Sequence, residues 1–155
     1  MFFNGEYNEG KFTGKFRVTN PFGQRGSADL KDDVLLRSRT YQHDATLLYV
    51  EYDDQYRFDG KHAYKYPNGD HEILNFKNGD MHGVRTSKME DTFEVEHFAK
   101  NRSEGFAVFK KENSMEVNEF KDGKMHGRAL KKSYDKWSAT EYEKGEETSK
   151  DSRIL

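Results

Sequence analysis

The chain has no cysteine, two prolines and a single tryptophan in 155 residues. Without thiols there are no disulfide staples and no thiolate chemistry, which suits a reducing interior. Hydrophobic residues make up 33%. No apolar run approaches the roughly 18 residues a membrane-spanning helix needs. The opening Met1-Phe-Phe-Asn-Gly-Glu6 lacks the basic and apolar regions of a signal peptide. A net charge of −2 and a pI near 6.3 give no overall pull toward nucleic acid or anionic lipid. These absences describe a soluble, cytoplasmic chain that does not bind nucleic acid.

So little apolar material, with 35% charged residues, would ordinarily suit a disordered chain. Against that, aromatics reach 14% and fall at regular places. Phe76, Phe98, Phe120 and Tyr142 stand 22 residues apart, and Gly83, Gly105 and Gly127 each follow an aromatic by seven. The same pair is traced back, with small slips, to Tyr52 and Gly60, to Leu30 and Arg37, and to Tyr7 and Gly14. A fixed period in this range marks one supersecondary unit copied and stacked. We read about seven units in one repeat domain over residues 1–155, anchored near 7, 30, 52, 76, 98, 120 and 142. The pattern is weakest over 24–50, and the last unit reads as truncated after Gly145.

Within a unit the period is two. Val84 and Thr86 alternate with Arg85 and Ser87, and Phe93, Val95 and His97 alternate with Glu94 and Glu96. That is a strand signal. Asn78-Gly79 and Asp122-Gly123 are hairpin turns, and Pro21 and Pro67 sit beside turn residues. The expected fold is all-β: an elongated single-layer antiparallel meander of about seven β-hairpin repeats. Stacked by position, Leu47, His71, Phe93, Met115 and Trp137, with Tyr49, Ile73, Val95, Val117 and Ala139, predict a mainly apolar face. Glu72, Glu94, Glu116 and Ser138 predict a mainly acidic outer face, making the sheet one-sided.

Tyr7-x2-Gly10-x3-Gly14, Phe76-Lys-Asn-Gly-Asp-Met-His-Gly83, Phe120-Lys-Asp-Gly-Lys-Met-His-Gly127 and Tyr142-Glu-Lys-Gly145 resemble the MORN repeat family. They are also similar to the short β-hairpin repeats of bacterial antitoxin-like proteins. The MORN resemblance implies an elongated, twisted sheet with an aromatic-lined groove, and the family's name reflects a proposed membrane role. The chain departs from the MORN pattern at Arg85 and Ala129, where a second glycine is usual, and at Ser103-Glu-Gly105.

The residues that invite a catalytic reading have plainer ones. His82 and His126 hold equivalent places before a repeat glycine. His62, His71 and His97 lack the short spacing of a metal site. The carboxylate pairs Asp32-Asp33, Asp53-Asp54, Glu90-Asp91 and Glu146-Glu147 fall in expected turns and loops, where solvation leaves no shifted general acid or base. Ser87, Ser103, Ser114 and Ser138 have no nucleophile-elbow setting. Phe22-Gly-Gln-Arg-Gly26 lacks the Lys-Ser/Thr and helix of a phosphate loop. No enzyme, cofactor or metal is expected.

What remains is the surface. Exposed apolar patches mark interaction sites, so the expected function is a scaffold or adaptor that receives another protein or peptide on an aromatic face. Its candidate residues are Phe93, Phe106, Phe109, Met115, Tyr134 and Trp137, with Phe109 out of phase with Phe106 and Val108. The alternative is an anionic-lipid or membrane-surface module using an edge of Lys88, Lys110 and Lys132, with Lys111 and Lys131 beside it. Terminal strands at Met1–Tyr7 and Lys136–Tyr142 are expected as open edges on which a second copy can pair to form a homodimer.

Overall fold

In the computed structural model the described residues are 2–151, and among them there are seventeen strands and no helix. The protein is an all-β antiparallel hairpin meander. It divides into two compact units, Met1–Asp80 and Met81–Leu155. The first carries β1 (Phe2–Asn8), β2 (Lys11–Thr19), β3 (Arg25–Lys31), β4 (Val34–Tyr41), β5 (Leu47–Tyr52), β6 (Phe58–Lys65) and β7 (His71–Lys77). The two-residue β8 (Asp80–Met81) spans the division in the chain. The second unit carries β9 (Gly83–Met89), β10 (Thr92–Ala99), β11 (Arg102–Ser103), β12 (Gly105–Lys111), β13 (Ser114–Lys121), β14 (Lys124–Met125), β15 (Gly127–Ser133), β16 (Lys136–Glu143) and β17 (Glu146–Asp151).

The 22-residue period has a physical meaning in the register. Each repeat glycine lies directly across from the anchor of the following unit. In the first unit the pairs are Gly14↔Leu30 and Gly60↔Phe76. In the second they are Gly83↔Phe98, Gly105↔Phe120 and Gly127↔Tyr142. In each of these pairs a large side chain thus stands opposite a position with no Cβ.

The seven-residue spacing follows from the turn and a bulge. Lys100-Asn101 and Asp122-Gly123 have positive φ at both central positions (49° and 64°, 51° and 77°), the type I′ geometry that matches strand twist. Beyond Lys100-Asn101, Phe98 pairs with Ser103, yet Val95 pairs with Val108. Glu96 and His97 therefore face the longer stretch Glu104–Ala107. Asn118 and Glu119 face His126–Ala129 in the same way. The excess is even, so the in/out alternation survives while the bulged strand bends. The chain over 24–50, where the sequence pattern is faintest, continues the meander as β3, β4 and β5. Leu30 takes the anchor's place there, while Arg37 lies across from Glu51.

The core is thin, and it corrects one expectation. Among the described residues the buried apolar side chains are Phe12 (7% exposed), Val50 (3%) and Ala107 (1%). In the second unit Ala107 and the buried Ser87 share a face with Phe98, Phe120, Glu94 and Glu116 by register. The side expected as an acidic outer face is therefore the side of deepest burial. Its charges are paired: Arg85 Nη1 lies 3.0 Å from a Glu94 oxygen, and Lys131 Nζ lies 2.6 Å from Glu116. The opposite face carries Thr86, Val95, Val108, Val117, Leu130 and Ala139 in one cross-strand row. Both faces bear apolar groups, so the sheet is not one-sided.

The C-terminal edge is also corrected. β16 pairs with β15 on one side and β17 on the other, so Lys136–Tyr142 offers no open edge to a second copy, and the chain does not stop pairing at Gly145. The expected N-terminal edge begins at Met1, outside the described residues; its remainder lies in β1, paired with β2.

Gly105 has φ +74° and open space where a Cβ would sit, whereas a Cβ on Gly127 (φ +75°) would meet the Glu119 carboxylate. In urea titrations Gly105→Ala should cost roughly 1–2 kcal/mol from the left-handed backbone alone. Gly127→Ala should cost more, and the excess should vanish in Gly127→Ala with Glu119→Ala. Equal losses for the two single variants would show that the contact with Glu119 does not matter.

Candidate interaction surface

The second unit presents a row in which lysine alternates with a large apolar side chain. Register places Lys88 across from Phe93, Phe93 across from Lys110, Lys110 across from Met115, Met115 across from Lys132 and Lys132 across from Trp137. Residues directly opposite share a face. The three lysines therefore do not form an edge apart from the aromatics. They are interleaved with them, at a spacing of roughly 9–10 Å set by two strand separations.

Several features keep this row open to solvent. Phe93 is 42% exposed and Phe106, on the same face, 58%. Lys132 Nζ stands 5.7 Å from the centre of the Trp137 ring, a cation–π contact that fixes the lysine head over the indole. A concavity of about 450 Å³ is lined by Lys110, Met115, Lys132, Tyr134 and Trp137, together with turn residues of β12–β13 and β15–β16. Tyr134 enters it from the turn, with positive φ (54°) and 72% exposure. Of the six candidate aromatic-face residues, the structure brings Met115, Tyr134 and Trp137 into this concavity and sets Phe93 and Phe106 elsewhere on the same face. Phe109 goes the other way. It lies across from Glu94 and Glu116, on the anchor side. Lys111 and Lys131, one residue out of step with the row, are likewise on the anchor side.

The other polar candidates serve the scaffold. His126 sits between β14 and β15, where its backbone N–H donates to the Glu119 carbonyl at 2.8 Å; His82, its repeat equivalent, is exposed. His97 Nδ1 is 3.0 Å from the Phe106 carbonyl oxygen, and His71 Nδ1 is 3.3 Å from that of Gly69. Asp33 Oδ1 accepts the Phe12 N–H at 2.9 Å, and Asp53 Oδ1 accepts the N–H groups of Gln55 and Arg57. Among the described residues no three His, Cys, Asp or Glu side chains gather as a metal site, and no helix is long and apolar enough to cross a membrane. A comparison with protein-family models and with curated proteins finds no match for the chain.

One half-buried titratable group stands out in the first unit. His62 lies against Phe58 (5.0 Å between ring centres), Tyr64 (5.2 Å, stacked) and Phe76 (5.6 Å), and both ring nitrogens are shielded without a protein partner. Burial lowers its pKa from the ordinary 6.5, against a smaller opposing pull from Glu72. The folded state therefore binds this proton less readily than the unfolded chain, so stability is retained above about pH 6.5 and falls as pH drops below it. Thermal unfolding followed from about pH 7 to about pH 5 should show a declining Tm, and His62→Phe should flatten that decline. An unchanged slope in the variant would place the sensitivity elsewhere.

Proposed function

We propose that the chain is a non-enzymatic repeat scaffold that binds another protein through the lysine–aromatic face between Lys88 and Trp137. The alternating row from Lys88 to Trp137 carries this reading. Aromatic and Met side chains give large contact area at adaptable positions, and the interleaved lysines select for acidity at a regular spacing. The matching partner is a segment in which acidic and apolar residues alternate, lying across the strands. The β-hairpin meander agrees with what the MORN resemblance implies, and kinship with that family is part of this proposal.

A second reading has an observation of its own. Lysines and aromatics on one face also suit the headgroup region of an anionic membrane, where cations meet phosphate and rings sit at the apolar boundary. A photo-crosslinking residue at Phe93 should capture a protein from the native source while the same residue at Phe109, on the opposite face, captures none. Trp137→Ala should abolish capture with the fold intact by circular dichroism. Capture from both faces, or from neither, would count against the scaffold reading. If the chain instead co-sediments with phosphatidylserine vesicles in a strongly salt-dependent manner, and loses this in Lys88→Glu with Lys110→Glu, the membrane reading takes its place.

A further inference from the structure

We infer a second binding site, in the first unit, that takes a phosphate dianion, free or as a monoester. Register sets Arg17 across from Ser27 and Ser27 across from Arg39. In the next row Thr19 lies across from Arg25, and Arg25 across from Tyr41. These six residues share one face of three adjacent strands and line a depression of about 330 Å³.

The charges here are unequally compensated. Arg37, on the same face of β4, is held by Asp29. Among the described residues no ion pair joins Arg17, Arg25 or Arg39 to a carboxylate. The nearby Glu51 is engaged by the Tyr49 hydroxyl and the Lys61 N–H. Arg39 is also oriented, its guanidinium carbon lying 5.2 Å from the centre of the Tyr49 ring. A cation–π contact of this kind consumes none of the guanidinium's N–H donors.

The number and kind of donors select the ligand. One carboxylate is satisfied by a single bidentate arginine. Three guanidiniums beside the Ser27 and Thr19 hydroxyls instead match a dianion with three terminal oxygens, which is a phosphate monoester near neutral pH. Arg17 and Arg39 flank Ser27 with about 10 Å between their Cα atoms, a spacing that lets both reach one group above it. A nucleic-acid backbone would call for a longer basic track, which a cluster confined to three strands of a net-acidic chain does not supply. Tyr41, 48% exposed, stands beside Arg25 as a wall for an aromatic or planar group carrying the phosphate. The site differs in kind from a glycine-rich phosphate loop, because strand side chains make it rather than backbone at a helix start.

The test is titration of the isotopically labelled full chain with phenyl phosphate and with inorganic phosphate, read by NMR of the arginine Nε–H and backbone amides. Saturable shifts at Arg17, Arg25, Arg39 and Ser27 are expected at millimolar ligand. Arg17→Gln with Arg39→Gln should weaken binding by at least about tenfold, while Arg57→Gln, whose arginine is paired with Asp53, should leave it unchanged. Tighter binding of phenyl phosphate would assign an aryl ester against Tyr41, and equal binding a free phosphate; both support the site. Absence of saturation, shifts that persist in the double variant with its fold retained, or a preference for a single-stranded oligonucleotide with steep salt dependence would each overturn it.

Discussion

The structure depends on the pairing of a repeat glycine with the anchor side chain of the next unit. Gly105↔Phe120 and Gly127↔Tyr142 fix where each strand sits along its neighbour. A one-residue slip would exchange the two faces of every strand it touched. With three buried apolar side chains named among the described residues, the chain has no large core to hold register by packing. The glycine requirement, the type I′ turns and the even bulge take over that role. Each is local, so a repeat that carries them specifies its own alignment, as expected where each unit rests mainly on its neighbours.

Register then decides what the surfaces carry. Because the bulge is even, Phe93, Met115 and Trp137 fall in one row with Lys88, Lys110 and Lys132, while Glu94, Glu116 and Phe109 fall on the anchor side. In the first unit the same cross-strand logic gathers Arg17, Arg25 and Arg39 around Ser27. Two chemically distinct surfaces thus arise from one alternation rule, and neither needs a deep pocket.

Much of this was legible in the sequence, and the reasons for the rest are physical. The period of two, the Asn-Gly and Asp-Gly turns and the spacing of aromatics led to the all-β meander. The segregation of Phe93 from Glu94 was readable from parity alone. The error was energetic: charge was equated with exposure, although Arg85 and Lys131 neutralise Glu94 and Glu116 and let that side hold Ala107 and Ser87. Treating the lysines as an edge failed because their cross-strand partners depend on register, which no single strand displays. The arginines were missed because strands β2, β3 and β4 contribute them one or two at a time; their density between residues 17 and 39 was the available signal. β17 was missed because Glu146–Asp151 has no apolar residue to announce a strand.

The central claim is the register itself, and cross-strand proton contacts by NMR test it most directly. The account predicts backbone contacts joining Phe93 to Lys110, Met115 to Lys132 and Lys132 to Trp137. Contacts joining Phe93 to Phe109 or to Lys111 instead would contradict it, because the lysine–aromatic row would then not exist.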